Sequence, residues 1–79
     1  MAYRVTIDPV ASRALRKLSR QIRERILLAV SLLADTPRPP SARKLSGSED
    51  FYRIRVRDYR IIYEIEDVCV CAYVLFASQ

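Results

Sequence analysis

From Tyr52 to Ile65 apolar and polar residues alternate with a period of two, and the alternation breaks once, at Asp58-Tyr59. Successive side chains of a strand point to opposite faces, so the pattern demands two strands that share one apolar face. Tyr52, Ile54 and Val56 take the core side of the first strand, and Ile61, Tyr63 and Ile65 that of the second. Arg53, Arg55 and Arg57 then stand in a row on the opposite face. With Asp58-Tyr59 as a two-residue turn, Arg57 opposes Arg60, Arg55 opposes Ile62, Arg53 opposes Glu64, Ile54 opposes Tyr63 and Val56 opposes Ile61. A slip of one residue would carry Arg60 and Glu64 into the core, so burial constrains the register.

The rest of the chain supplies what such a hairpin packs against. Val68 to Phe76 is almost wholly apolar and predicts a third strand covered on both faces. Tyr3 to Ile7 predicts an N-terminal strand. Asp8-Pro9 ends it and starts a helix, Asp as N-cap and Pro in the first turn. Ala11, Ala14, Leu15, Leu18 and Ile22 recur at helical spacing, with Arg13, Arg16, Lys17 and Arg20 on the other side. Ser19 is a candidate cap for a second helix, reaching to about Asp35, and one long helix is the alternative because no Gly or Pro forces a break. In the second helix Ile26, Ala29, Val30 and Leu33 form the apolar stripe, and Leu27, Leu28 and Leu32 widen it to a large packed arc. Thr36 to Ser41 reads as a polyproline loop, Lys44-Leu45 as a short strand or lead-in, and Ser46 to Asp50 as a polar turn. The predicted fold is α+β, one two-layer domain over residues 1–79: an N-terminal strand, a helical hairpin on one sheet face, then a three-stranded antiparallel meander. The crossover through the helices brings the first strand beside the last.

Composition narrows the chemistry. The chain has 79 residues, 14 of them Lys or Arg against 9 Asp or Glu, a formal charge of +5. Only Lys17 and Lys44 are Lys. Arg presents a planar, permanently charged fork, so the bias suits phosphate recognition. The charge concentrates in residues 1–25 and 38–60, while residues 61–79 are net negative. There is no His, which excludes Ser-His-Asp and Cys-His catalysis and His-ligated zinc. A single Gly, Gly47, excludes a phosphate-binding glycine loop or a dinucleotide fingerprint. No apolar run is long enough to span a bilayer, and the N-terminus lacks the apolar region of a secretory signal, so a cytoplasmic protein with no membrane role is expected. Cys69 and Cys71, two apart, read as small core hydrophobes in a reducing compartment; two thiols alone are a poor metal site.

The arginine face has two readings. One is a solvated face with an Arg53–Glu64 ion pair worth about 0.2–1 kcal/mol. The other is a phosphate site in which Arg53, Arg55 and Arg60 hold an RNA backbone and stabilise charge on a phosphorane as a 2′-hydroxyl attacks the next phosphate. The second reading needs a proton acceptor, and Arg is a poor one. Tyr52, Tyr59, Tyr63 or Lys44 would need a lowered pKa to serve, and packing is the commoner role of a tyrosine in a small core. The stripe Arg13, Arg16, Lys17 and Arg20 reads either as a solvated helix face or as a salt-sensitive phosphate-docking surface.

The element order, together with Lys44-Leu45-Ser46-Gly47 and the run Tyr52-Arg53-Ile54-Arg55-Val56-Arg57-Asp58-Tyr59-Arg60-Ile61-Ile62-Tyr63-Glu64-Ile65, resembles the RelE/ParE superfamily of toxins, in its RelE branch. The resemblance covers about residues 3–74. It implies the toxin of a type II toxin–antitoxin system, an mRNA interferase that enters the ribosomal A site and cuts mRNA without metal or other cofactor. It carries catalytic roles onto Arg53 and Arg55 as the two basic sheet residues and onto Arg60 as the phosphate-stabilising arginine. Arg13, Arg16, Lys17, Arg20, Lys44 and Arg57 become candidate RNA- and ribosome-binding residues. The implied partners are a RelB-like antitoxin, the ribosome and mRNA, with operator DNA bound only through the antitoxin. The pattern departs from the family at Leu75, Phe76 and Ala77, where Gly, a basic residue and Arg are usual, and a following Tyr is absent. This departure implies weakened or lost cleavage and favours one alternative, a non-catalytic antitoxin- or RNA-binding homologue; a second, a ParE-like gyrase inhibitor, is disfavoured by the basic set at 53, 55 and 60.

Overall fold

Arg4–Ile7 (β1), at the N-terminus, runs parallel to Cys69–Ala77 (β5), near the other end of the chain, and this pairing closes the sheet. The structure is a computed structural model that describes residues 2–47 and 49–77, and of 74–77 the backbone alone. Between β1 and β5 come helices Pro9–Arg16 (α1) and Arg20–Leu32 (α2), then strands Arg43–Lys44 (β2), Phe51–Val56 (β3) and Tyr59–Glu66 (β4). The sheet has five strands in the order β1-β5-β4-β3-β2. The α+β, two-layer prediction holds, with the meander extended by a two-residue edge strand. Among the described residues no helix is long and apolar enough to cross a membrane.

The helix boundaries follow from caps. Asp8 Oδ2 accepts from the Val10 amide at 3.0 Å, and Ser19 Oγ accepts from the Ile22 amide at 3.4 Å. Each satisfies a donor that a helix start leaves open. The helices are therefore a hairpin and not one rod. The Arg23 guanidinium donates to the carbonyls of Arg16 and Leu18 and ties the corner. The second helix stops at Leu32, short of the predicted Asp35; the residues after it close tighter turns, Leu33 N to Val30 O at 3.1 Å and Ala34 N to Ser31 O at 3.1 Å.

The core is a single cluster of Leu15, Ile26, Val30 and Leu33 from the helical layer with Ile54, Ile61, Tyr63, Ile65, Val70 and Ala72 from the sheet. The apolar arc of α2 is narrower than its periodicity predicts. Leu27, Leu28 and Leu32 are 40%, 61% and 57% exposed, because α2 turns Ile22, Ile26, Ala29 and Val30 to the core, followed by Leu33 just past its end. Cys69 and Cys71 are also not core residues. They alternate with buried Val70 and Ala72, lie half-buried on the sheet face away from the helices, and are free thiols. Among the described residues that face of β5 has no second layer.

The β3–β4 hairpin differs from the predicted register. Its turn is Arg57-Asp58, so Val56 pairs Tyr59, Arg55 pairs Arg60, Ile54 pairs Ile61, Arg53 pairs Ile62 and Phe51 pairs Glu64. Moving the turn back by one residue lets Tyr59 begin β4 and pack against the core cluster. Every side chain keeps its face, because each pairing shifts by two positions. The cost falls on Arg57, which takes φ +54°, a conformation that L side chains disfavour. Asp67 does the same in the β4–β5 turn, where Val68 is exposed and not in the strand as predicted. A bulge interrupts the β4–β5 pairing: Ile62 pairs Val74 and Tyr63 pairs Ala72, with Tyr73 the extra residue between.

Candidate functional site

Two short ladders of guanidinium groups meet on the sheet face opposite Ile54 and Ile61. Arg43 of β2 pairs with Arg53 of β3, and Arg55 of β3 pairs with Arg60 of β4. Together with Ser41 and Ile54 these four arginines line a pocket of about 210 Å³ at the β2 edge of the sheet. Side chains directly opposite in antiparallel strands have Cβ atoms about 4.5–5.5 Å apart, so each pair sets two cations side by side. Among the described residues none of the four has a carboxylate partner; the Arg53–Glu64 ion pair does not form, since Glu64 faces Phe51 across the ladder and accepts from the Tyr73 hydroxyl at 2.9 Å. Arg60 Nε is buried and lacks a hydrogen-bond partner among the described residues. A buried donor left open costs about 1–3 kcal/mol, so this orientation is one the free protein does not favour for its own sake.

The elements around the pocket explain why it forms. The proline loop before β2 is latched to the sheet. Tyr63, fully buried, donates its hydroxyl to the Pro37 carbonyl at 2.8 Å. Arg38 Nε donates to the Tyr52 hydroxyl at 3.0 Å and its guanidinium carbon sits 5.5 Å from the Tyr52 ring centre. Tyr52 and Tyr63 stack at 5.8 Å. The Ala42 amide bonds the Pro39 carbonyl at 2.9 Å and the Leu45 amide bonds the Phe51 carbonyl at 3.0 Å, so β2 is held at both ends. The tyrosines weighed as proton acceptors therefore have structural work on or near the core. Burial pushes the Tyr63 hydroxyl up to about 12, and the hydrogen bond to Glu64 pushes the Tyr73 hydroxyl up as well. Neither is poised as a base near neutral pH.

Of the residues predicted for the site, Arg53, Arg55 and Arg60 converge. Arg57 does not join them: it sits in the turn, exposed, beside Gln21, Glu24 and Arg25 of α2. Lys44 does not either, because it pairs with Tyr52 and so takes the other side of β2 from Arg43. Arg13, Arg16, Lys17 and Arg20 are exposed on the helical layer, which packs on the far side of the sheet, and Arg20 is engaged by Glu24 at 3.0 Å. Sequence reasoning missed Arg43 and Ser41. A two-residue strand has no periodicity to read; the available signal was that an antiparallel strand before β3 must bring either Arg43 or Lys44 beside Arg53. The departure at Leu75, Phe76 and Ala77 lies on side chains outside the described residues. A second cleft of about 340 Å³, largely apolar, runs from Leu32 and Leu33 to Val56 and shares Ser41, Ile54 and Arg55 with the arginine pocket.

The same architecture occurs in known proteins. Residues 5–76 match the model of the family described as ParE toxin of type II toxin-antitoxin system, parDE. The mRNA interferase toxin RelE of Escherichia coli K12 is 34% identical over 81 residues, covering 100% of this chain and 84% of that protein. The RelE chain of the archaeal RelE–RelB complex from Pyrococcus horikoshii superposes with a TM-score of 0.87 at 32% identity, covering 98% of this chain and 96% of that one. The isolated Escherichia coli RelE toxin gives 0.85 at 29% identity, covering 99% and 86%. A family match across nearly the whole chain, full-length sequence similarity and a shared five-stranded fold agree, and the chain belongs to the ParE-toxin family of type II toxin–antitoxin systems, in its RelE branch.

Proposed function

We propose that this protein is a RelE-type toxin that cleaves mRNA on the translating ribosome and is neutralised by a RelB-type antitoxin. The observation that carries the reading is the Arg55–Arg60 pair, two cations held side by side at a pocket with a buried, unpartnered Nε donor. A phosphodiester supplies what this arrangement lacks: negative charge between the guanidinium groups and an acceptor for the open donor. As the neighbouring 2′-oxygen attacks phosphorus, its proton passing through water to the departing 5′-oxygen, the P–O5′ bond breaks to leave a 2′,3′-cyclic phosphate and a 5′-hydroxyl; the non-bridging oxygens gain charge on the way, and donors already in place stabilise that state more than the starting diester. Arg60 and Arg55 take that role, and Arg53 extends the positive field along the strand. The chain's own arginines supply this electrostatic stabilisation, with no metal or other cofactor called for. Cleavage on the ribosome places the protein in the cytoplasm. Lys44, Arg57 and the Arg13–Arg20 stripe, spread over other faces, fit contacts with ribosomal RNA outside the pocket. The similarity to RelE chains seen in RelE–RelB complexes supports the antitoxin, and operator DNA would be engaged through it.

The test is primer extension on mRNA in a cell-free translation reaction, with and without the purified chain. Cuts confined to translated message are expected, and Arg60→Ala should lower their yield at least tenfold, the loss expected when a charge-assisted contact to a developing oxyanion is removed. Uncut message and unimpaired translation at equimolar protein and ribosome would overturn the nuclease assignment.

A further inference from the structure

β2 is two residues long and lies at the sheet edge, yet it delivers a guanidinium to the pocket. Arg43 is exposed, has no partner among the described residues, and its position is set by backbone bonds on either side, Ala42 to Pro39 and Leu45 to Phe51. The register gives its relation to the other arginines. Arg53 and Arg55 are consecutive same-face positions of β3, about 6.6–6.8 Å apart along the strand. Arg43 lies across from Arg53 on one side of β3, and Arg60 lies across from Arg55 on the other. The two arginine pairs are thus offset both along the strand and across it, and their midpoints are about 8 Å apart by strand spacing. One phosphodiester carries one charge and fits between the members of one pair. Four guanidinium groups without a carboxylate are more than one phosphate balances.

We infer that the pocket takes two successive phosphates of a single RNA strand, the reacting one between Arg55 and Arg60 and its neighbour between Arg43 and Arg53, with the Ser41 hydroxyl at the Arg43 end. Arg43 is then a substrate-binding residue that sets where along the strand the reacting phosphate falls. This inference rests on the phosphate reading of the pocket, and the two can fail separately.

The probes are adenosine 3′,5′-bisphosphate, which carries the two phosphates that flank one ribose in RNA, and adenosine 3′-monophosphate, which carries one. Binding of each is measured by calorimetry or NMR titration to the wild-type protein and to Arg43→Ala, Arg43→Gln, Arg60→Ala and, as a charge-matched control, Arg25→Ala. The wild type should bind the bisphosphate about tenfold more tightly than the monophosphate, the gain of one further charge-assisted contact. Arg43→Ala and Arg43→Gln should abolish that preference and leave monophosphate affinity within about twofold, and Arg25→Ala should preserve it. On single-stranded RNA the Arg43 variants should also reduce the salt slope by about 0.7, the release expected for one lost phosphate contact. A bisphosphate preference that survives both Arg43 substitutions, or is lost equally in Arg25→Ala, overturns the inference and leaves the pocket assignment standing. Unchanged affinity of both probes for Arg60→Ala would overturn the pocket assignment and the inference with it. Matching circular dichroism spectra and melting temperatures verify that each variant is folded.

Discussion

Arg60→Met should make the free protein more stable while removing its activity. In the wild type, Arg60 Nε is buried without an acceptor among the described residues, and Arg60 faces Arg55 directly. The open donor costs about 1–3 kcal/mol, and the lower end applies because the rest of the guanidinium faces the solvent-filled pocket. The like-charge pairing adds about 0.2–0.5 kcal/mol. Met keeps most of the aliphatic stem that packs on the sheet and removes both penalties. The net expectation is a gain of about 1–1.5 kcal/mol. For a chain of 79 residues, each kcal/mol moves the melting temperature by about 4–8 °C, so Tm should rise by about 4–12 °C. The assay is thermal unfolding followed by circular dichroism at low ionic strength, repeated with millimolar adenosine 3′-monophosphate. The nucleotide should raise the wild-type Tm through binding and leave that of the variant nearly unchanged, so the gap narrows. A variant that melts at or below the wild-type temperature without ligand would falsify the claim that this pocket is held against its own stability.

Two further outcomes follow from the packing. Tyr63→Phe removes the hydroxyl that donates to the Pro37 carbonyl and should cost about 1 kcal/mol in urea unfolding at pH 7. Because the folded hydroxyl titrates at about 12 and an unfolded tyrosine near 10, its stabilisation is complete below pH ~10 and is lost as pH rises towards 12. The variant should therefore lose less stability than the wild type between pH 9.5 and 11.5 (a window set by roughly those two values), and parallel alkaline profiles would contradict the assignment. Leu28→Gln with Leu32→Gln should leave the urea midpoint unchanged within about 0.5 kcal/mol, as suits exposed positions, and should reduce light scattering at high concentration. A loss above about 2 kcal/mol would show these leucines to be packed, as the helical periodicity alone suggests.

Local chemistry made much of this fold legible. Asp8 and Ser19 marked the helix starts because a side-chain oxygen next to an open amide is a strong, short-range preference. The alternation from Tyr52 to Ile65 assigned faces correctly, since a wrong face would bury charge. The pairing partners were harder to read. Arg57 in a positive-φ turn is locally unfavourable, and it is accepted because Tyr59 gains burial, a tertiary effect that no window of neighbouring residues contains. The exposure of Leu27, Leu28 and Leu32 has the same origin: periodicity defines an apolar arc, and only the partner surface decides how much of it is covered. Within the site, Arg53, Arg55 and Arg60 were visible from their period, whereas Arg43 depended on which residue of a two-residue strand faces Arg53.

The parallel pairing of β1 with β5 also governs how the protein is made. Arg4 and Cys69 are partners across 65 positions of chain, so the first strand has no neighbour to bond until those residues have been made. At about 5–20 residues per second, the nascent N-terminus waits roughly 3–13 s for its partner strand. Until then β4 also lacks its neighbour on that side. Closing so long a loop comes late in folding. With this connectivity the sheet closes only once β5 has been made, so the outer edges of β1 and β4 stay unpaired through most of the synthesis of the domain.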